Sequence, residues 1–484
     1  MILSMLRNQK GIALITVYAT SAFITVISAA AFGRAFWERR HVDQEITRLE
    51  SMAAAEAGLQ RALFQISQNA YTGFINTADI AWPSFTDVNG INVGNFDVTI
   101  SYPNQADWVV IQAAATVDGV TRNLEGRVFL DSNLSKYLVY ADASSFGSGN
   151  NAQYGDSNGV DPEGVDSNPD ERTMMYFTGG WSVSGSNVHM YGDVLAEGGI
   201  SGGDASSQVH GDTYSQTFTQ NGLGNVTDDG VSGSILVGDG FADDNDRNGD
   251  GVVNANDKPD YHDLTDDGGD DTKAKETLTD MDLAFYQAHN NISSFGTTTA
   301  TRYLEFQPVA GTNYTRVVQY TNGTFTTVTA SYNLPSSAIV YVKGDAYIKG
   351  EIQGRVSIAA SDDIMIVGDF RYTDGQDLAD ASHSTALLAK DKLYFMGNSL
   401  NVSGILYGEN SSNSSVAFDA YYDVNGQADP NSKEYLRLHG NRIIKGSSNL
   451  SYYDDRVYGY DKNLKYYRPP GIPVVPDLRT VREV

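Results

Sequence analysis

The spacing of apolar and polar side chains changes character three times along this chain, and each change predicts a different element. From Ile12 to Gly33, "IALITVYATSAFITVISAAAFG", no side chain is charged. A helix rising about 1.5 Å per residue needs about 20 such residues to cross the hydrocarbon core of a bilayer. The run is therefore long enough to span, and longer than the apolar part of an ordinary signal peptide. Arg7 and Lys10 precede it, and the bias of positive charge toward the cytoplasm leaves Met1 to Lys10 inside. Charged residues resume at Arg34 without a turn signal. Val42, Ile46 and Leu49, then Leu59, Leu63 and Ile66, keep the spacings of three and four that mark one helical face. Between them "MAAAEAGLQRAL" is built almost wholly of strong helix formers, and no glycine or proline falls between Arg34 and Glu56. One continuous helix is predicted, apolar over 12–33, amphipathic over 34–70 and ending near Gln68. A bitopic anchor with a juxtamembrane helix fits this much equally well.

Alternation takes over between residues 71 and 131. "NVGNFDVTISY", "DWVVIQAAATV" and "TRNLEGRVFLD" place apolar residues at every second position, and Asp118-Gly119 is a hairpin turn signal. Three antiparallel strands follow. A sheet with one apolar face needs a cover, and the amphipathic half of the helix supplies one.

Beyond about residue 132 short apolar pairs recur between glycine-bearing turns. In "SSAIVYVKGDAYIKGEIQGRVSIAASDDIMIVGDF", Val340, Ile348, Val356 and Ile364 fall at a step of eight, and Val342, Ile358 and Ile366 share that spacing. Gly-Asp pairs close many segments, among them Gly344-Asp345 and Gly368-Asp369. Short strands at near-regular intervals predict a β-solenoid-like domain over 132–484, each coil burying its face on the next. A β-sandwich is the alternative. The fold class is thus α+β, mainly β: a long N-terminal helix on a small antiparallel sheet, then a large repetitive β-domain.

Composition narrows the chemistry. Lys and Arg number 33 against 60 Asp and Glu, a net charge of −27, whereas phosphate recognition requires a basic footprint, so nucleic acid is excluded as a partner. Cysteine is absent, so neither a disulfide framework nor thiolate chemistry is open to the chain.

One insertion, within 241–272, carries definite ligand spacing. In "DRNGDGVVNAND", Asp246, Asn248 and Asp250 occupy loop positions one, three and five. Gly251 stands at six where the chain turns, the Val252 carbonyl at seven, Asn254 at nine and Asp257 at twelve. Oxygen ligands so placed converge on Ca²⁺ at about 2.4 Å. "FADDN" before it and "KPDYHDLTDDGGDDT" after it lack the apolar helical faces of a sensor, so the expected role of the ion is structural. A second acidic run, "DSNGVDPEGVDSNPDE" over 156–171, has no such register and reads as a solvated loop.

The candidates for catalysis are Asp362-Asp363 and "HGNRIIKG", with His439, Arg442 and Lys445. Glycosidic cleavage needs two carboxylates across the scissile bond, yet this Asp pair sits where any coil would place a polar turn. No zinc His-Glu-x-x-His, phosphate loop or Gly-x-Ser-x-Gly elbow occurs. The expectation is no catalytic residue and no enzyme. Tyr452, Tyr453, Tyr458, Tyr460, Tyr466 and Tyr467 offer either a contact surface or packing for the last coil under the Pro-rich tail.

The basic leader ending in Gly11, followed by "IALI" and the long apolar helix, resembles the class III signal of type IV pilins and pseudopilins. With "AAEAGL" at 54–59 the first 70 residues are most similar to the PilX-type pilus-assembly family, and to the K-type minor pseudopilin of type II secretion. The resemblance implies cleavage by a prepilin peptidase between Gly11 and Ile12, with the helix retained. It implies inner-membrane residence first, then a surface or periplasmic filament built with other pilin or pseudopilin subunits. Major pilins usually carry Glu at the fifth mature position, where this chain has Thr16; a carboxylate at that depth is expensive unless it meets a partner charge. That departure implies a minor subunit at the tip, priming assembly or presenting an adhesive domain to a surface or glycan ligand. The alternative is a membrane-anchored surface solenoid that binds carbohydrate or cleaves polysaccharide.

Overall fold

The computed structural model describes most of residues 2–142 and 280–484, interrupted at 69, 87–91, 103–107, 374–378, 381, 412–415 and 423–432, with short pieces between 145 and 232. The loop ligands Asp246, Asn248, Asp250, Val252, Asn254 and Asp257, and the acidic run 156–171, lie outside the described residues.

A single helix, α1, runs Ile2–Ser67. Its two halves meet different surroundings. Phe23, Phe32, Trp37 and Leu49 are exposed, whereas Ser51, Ala54, Ala55, Leu59, Ala62 and Ile66 are buried. Half of the buried set is alanine, which lets the helix axis approach the sheet closely. At Gly58 the approach is closest, since a Cβ there would stand 3.0 Å from Val98 Cγ2.

Beneath it lie β1 (Ile80–Thr86), β2 (Asn92–Ser101), β3 (Trp108–Val117) and β4 (Val120–Asp131). Phe96, Val98, Ile111, Ala113, Ala115, Leu124 and Val128 form the apolar face against α1. The β3–β4 hairpin turns at Asp118 (φ 46°) and Gly119 (φ 82°), both left-handed, as the two-residue turn that matches strand twist requires. So the helix on an antiparallel sheet is present, with more strands than alternation indicated.

The fifth strand corrects the expected extent of the large β-domain. Val475–Glu483 does not join the large β-domain but pairs antiparallel with β4, Val475 opposite Asp131 and Glu483 opposite Leu124. It is an edge strand with exposed side chains, held by its backbone ladder and by Arg122–Glu483 and Arg482–Glu125 ion pairs, both 2.6 Å. Such a strand carries no alternation to betray its partner. Residues 132–474 are therefore inserted between two neighbouring strands of one sheet.

Apart from the antiparallel run Arg302–Pro308, Thr315–Tyr320 and Val328–Asn333, the main ladders described within the insert are parallel and join strands that are not consecutive. Ser337–Val342 pairs with Arg355–Ala360, then Ser384–Ala389, Ser399–Gly408 and Lys433–Ile444. A second ladder joins Arg302–Pro308, Ala346–Ile352 and Ile364–Tyr372. Val340 thus faces Ile358, and Ile348 faces Ile366. The step of eight seen in the sequence moves from one ladder to the other, and about two such steps return to the first. Bends recur in register: Gly404 (φ 117°) lies beside Gly440 (φ 145°), where a Cβ would strike the Gly404 carbonyl.

The order of stacking is not the order of the chain. Lys433–Ile444 pairs on its far side with β5 (Val139–Ala141), which continues to Met174–Phe177, Asp193–Ala196 and Thr213–Ser215. Tyr453–Gly459 likewise pairs with Ala152–Gly155. The first and last described parts of the insert meet at this seam, directly beside the strands that connect it to the small sheet.

Candidate functional site: an uncovered helix and an acidic turn

The first half of α1 is apolar and uncovered. Leu14, Val17, Phe23, Val26 and Phe32 are all more than half exposed, and the helix is long and apolar enough to cross a membrane. Two of its hydroxyls are met internally: Thr20 Oγ1 donates to the Thr16 carbonyl at 2.7 Å and Thr25 Oγ1 to the Ser21 carbonyl at 2.8 Å. No hydroxyl of that pair therefore opposes an apolar environment.

The uncovered face does not stop with the charge-free run. Val42, Ile46 and Leu49 remain 57%, 48% and 68% exposed, so the stripe expected to cover the sheet begins to do so only at Ser51. From Leu14 to Leu49 the helix extends about 50 Å. Gly11 and Ile12 lie in α1, with side chains outside the described set.

The second feature is a polar turn. Asp345, Asp362 and Asp363 bring carboxylate oxygens within 4.8 Å of one another. The ladders place them there: Ala346 pairs with Ile364, so the residues before them, Asp345 and Asp363, occupy equivalent positions at the starts of two paired strands. Sequence reading singled out the Asp362-Asp363 pair and missed Asp345 as its companion. The Gly344-Asp345 signal was visible, but only the register unites it with the pair. Asp363 Oδ1 accepts from the Lys392 N–H at 3.0 Å. Burial, reinforced by Asp362, Asp391 and Asp345, pushes the Asp363 carboxyl up to about 7. Burial also raises Asp362, with Asp345 and Asp391 adding to it. Three such oxygens offer ligands to a cation or hydrogen bonds to hydroxyl groups.

The residues of "HGNRIIKG" do not converge on that turn. Arg442 is buried, 1% exposed, with Cζ 3.7 Å from the Tyr458 ring centroid. Lys445 pairs with Asp280, holding that carboxyl below its ordinary range. His439 is buried on the same strand. The terminal tyrosines divide: Tyr453, Tyr458 and Tyr460 are core, while Tyr466 and Tyr467 are exposed.

No protein-family model matches the chain, and no curated protein matches it. Among solved structures, the competence-associated pilin ComZ from Thermus thermophilus is similar at 11% identity over 90% of this chain and 97% of that one, with a TM-score of 0.23.

Proposed function

We propose that this chain is a minor pilin-like subunit of a type IV pilus or type II secretion-type filament, whose inserted β-domain is carried outside as cap or adhesive module. One observation carries the reading: the exposed apolar face of α1 outruns what a bilayer can cover. A hydrocarbon core of about 30 Å accounts for the charge-free run. Val42, Ile46 and Leu49 lie beyond it on a charged stalk, and a mere anchor gives them no partner. Packing among equivalent helices of neighbouring subunits buries the membrane run and the stalk stripe together, since a stripe of this spacing is the face helices use against one another.

In this reading a prepilin peptidase cuts between Gly11 and Ile12, and the chain passes from the inner membrane into the filament. Thr16 gives the subunit no carboxylate to match with a preceding amino terminus, which suits the tip. The parallel ladders wind as a β-solenoid, and the loop from Asp246 to Asp257 binds structural Ca²⁺. A surface glycan is the ligand class for the exterior domain.

The test is Ile46→Glu combined with Leu49→Glu. Both positions are exposed, so the melting temperature stays within about 1 °C and the chain stays in the membrane fraction. Recovery in sheared filaments is lost, while the wild type is recovered there beginning at Ile12. Wild-type chain that never sediments with filaments, or a double variant that sediments as well as wild type, overturns the proposal.

A second reading has one observation in its favour: Asp363, held near neutral beside Asp362, is the protonated partner that polysaccharide cleavage uses. It stands second because Asp362 and Asp363 are neighbours on one turn, clustered with Asp345, whereas cleavage places its two carboxylates on either side of the scissile bond. Loss of reducing-sugar release on Asp362→Asn would establish it.

A further inference from the structure

Across the seam runs a row of paired residues: Val340, Ile358, Leu387, Leu406, Arg442, Val139, Met175 and Val194. All are buried, and every member except Arg442 is aliphatic or methionine. A guanidinium stays charged under all ordinary conditions, so the row carries a fixed positive charge into an apolar wall. We propose that Arg442 is the recognition group of an oxyanion-binding site inside the β-domain, at the seam between its first and last strands, accepting a phosphate-class ligand.

The unpartnered atoms identify the ligand chemistry. Nε and Nη2 of Arg442 have no hydrogen-bond partner. These two nitrogens form one edge of the guanidinium, the edge that donates two parallel bonds to a carboxylate or phosphate. Aromatic rings lie against the group, with Tyr458 at 3.7 Å and Tyr154 at 5.2 Å from Cζ. Cation–π contact steadies the charge but leaves edge donors unmet.

The surroundings add positive charge. Arg456, 3% exposed, lies in register with Ala152 on the strand of Tyr154. Lys433, 2% exposed, donates to the carbonyls of Phe395 at 2.7 Å and Tyr422 at 2.8 Å, which are neutral. Tyr154 is no phenolate, because burial pushes its hydroxyl up to about 12. Among the described residues no carboxylate forms an ion pair with Arg442. An exogenous oxyanion at the free edge satisfies both donors and the charge. It also ties the last strands to the first, since Arg442 belongs to Lys433–Ile444 and Tyr154 to Ala152–Gly155.

The experiment uses the full chain in detergent, exchanged into phosphate-free buffer, with ionic strength held constant by chloride. Added inorganic phosphate raises the wild-type melting temperature and the rise saturates; native mass spectrometry shows one phosphate adduct. Arg442→Met, which repeats the Met175 chemistry of the same row, abolishes both the rise and the adduct. Arg442→Lys retains the charge without the fork and raises the half-saturating phosphate at least tenfold; it decides the matter should the methionine variant not fold. A wild-type melting temperature indifferent to phosphate, as expected if a carboxylate of the chain itself meets the edge, overturns the proposal. So does an equal rise in Arg442→Lys.

Discussion

The Tyr71 ring is stacked on the Phe285 ring, centroids 3.7 Å apart and planes within 14°. Tyr71 follows α1, whereas Phe285 lies on a short helix, Leu283–Ala288, deep in the insert. The return segment closes the joint: Thr72 N–H donates to Ile472 at 2.9 Å, and the Tyr286 hydroxyl to the Gly471 carbonyl at 2.8 Å. Three segments far apart in the chain thereby fix the β-domain on the small sheet. Tyr71→Ala removes a buried aromatic from this joint and is expected to cost about 3 kcal/mol in denaturant unfolding. Limited proteolysis should cut faster near residues 70–75 and 470–474; an unchanged midpoint and cleavage pattern would show the joint to be incidental.

The helix–sheet contact is equally local. Gly58 already places the helix 3.0 Å, as a virtual Cβ, from Val98 and 3.2 Å from Phe96. Gly58→Leu overfills that contact and is expected to destabilise the folded chain by about 1–3 kcal/mol, read as a lower denaturation midpoint. Gly33→Leu, at a position with nothing within 4 Å, leaves the midpoint where it was. Equal effects at both glycines would contradict the packing described.

Acid–base behaviour has a definite sign. The folded chain holds Asp363 at about 7 against an ordinary 3.8, chiefly through burial. Below about pH 4 both folded and unfolded forms are protonated; from there to about 7 only the folded form keeps the proton. The contribution to stability is thus full at low pH and lost as pH rises through 7. Asp461, pushed up to about 7 by burial, acts in the same window, so Asp363→Asn removes only part of the slope. The variant should melt no higher than wild type at pH 4 and above it at pH 8. Parallel melting curves across that range would refute the assignment.

Calcium can be tested without knowing its partner. If Asp246 to Asp257 hold the ion, CaCl₂ raises the wild-type melting temperature and a chelator reverses it. Asp246→Ala with Asp250→Ala leaves a chain indifferent to both. Wild-type protein that ignores calcium, and fails to sensitise terbium luminescence, disposes of the site.

Much of the small sheet was legible because its cues are short-range. The spacing of Leu59, Leu63 and Ile66 marked a covered helix face, and Asp118-Gly119 marked the tightest hairpin. By contrast β1 contains Pro83, an edge-strand residue that weakens a strand pattern. The last strand, from Val475, shows almost no buried alternation. Asp345 and Asp363 each looked like a turn, and only strand register made them neighbours. Arg442 stands in the sequence as one of the charged residues of "HGNRIIKG", yet it lies in a buried row.

What the chain determines by itself is local: a helix too long and too apolar for its own sheet to cover, the faces its alternating strands must bury, and the places where it turns. Side-chain period and backbone sterics act over a few residues, so these features need no partner to be specified. The tertiary structure decided which strands lie side by side. It returned Val475 to Asp131, set Lys433–Ile444 against Val139–Ala141, and buried Arg442 beside Tyr458 and Tyr154. Many strands present compatible edges, and the pairing among them is selected only when the whole set of ladders and buried faces closes together.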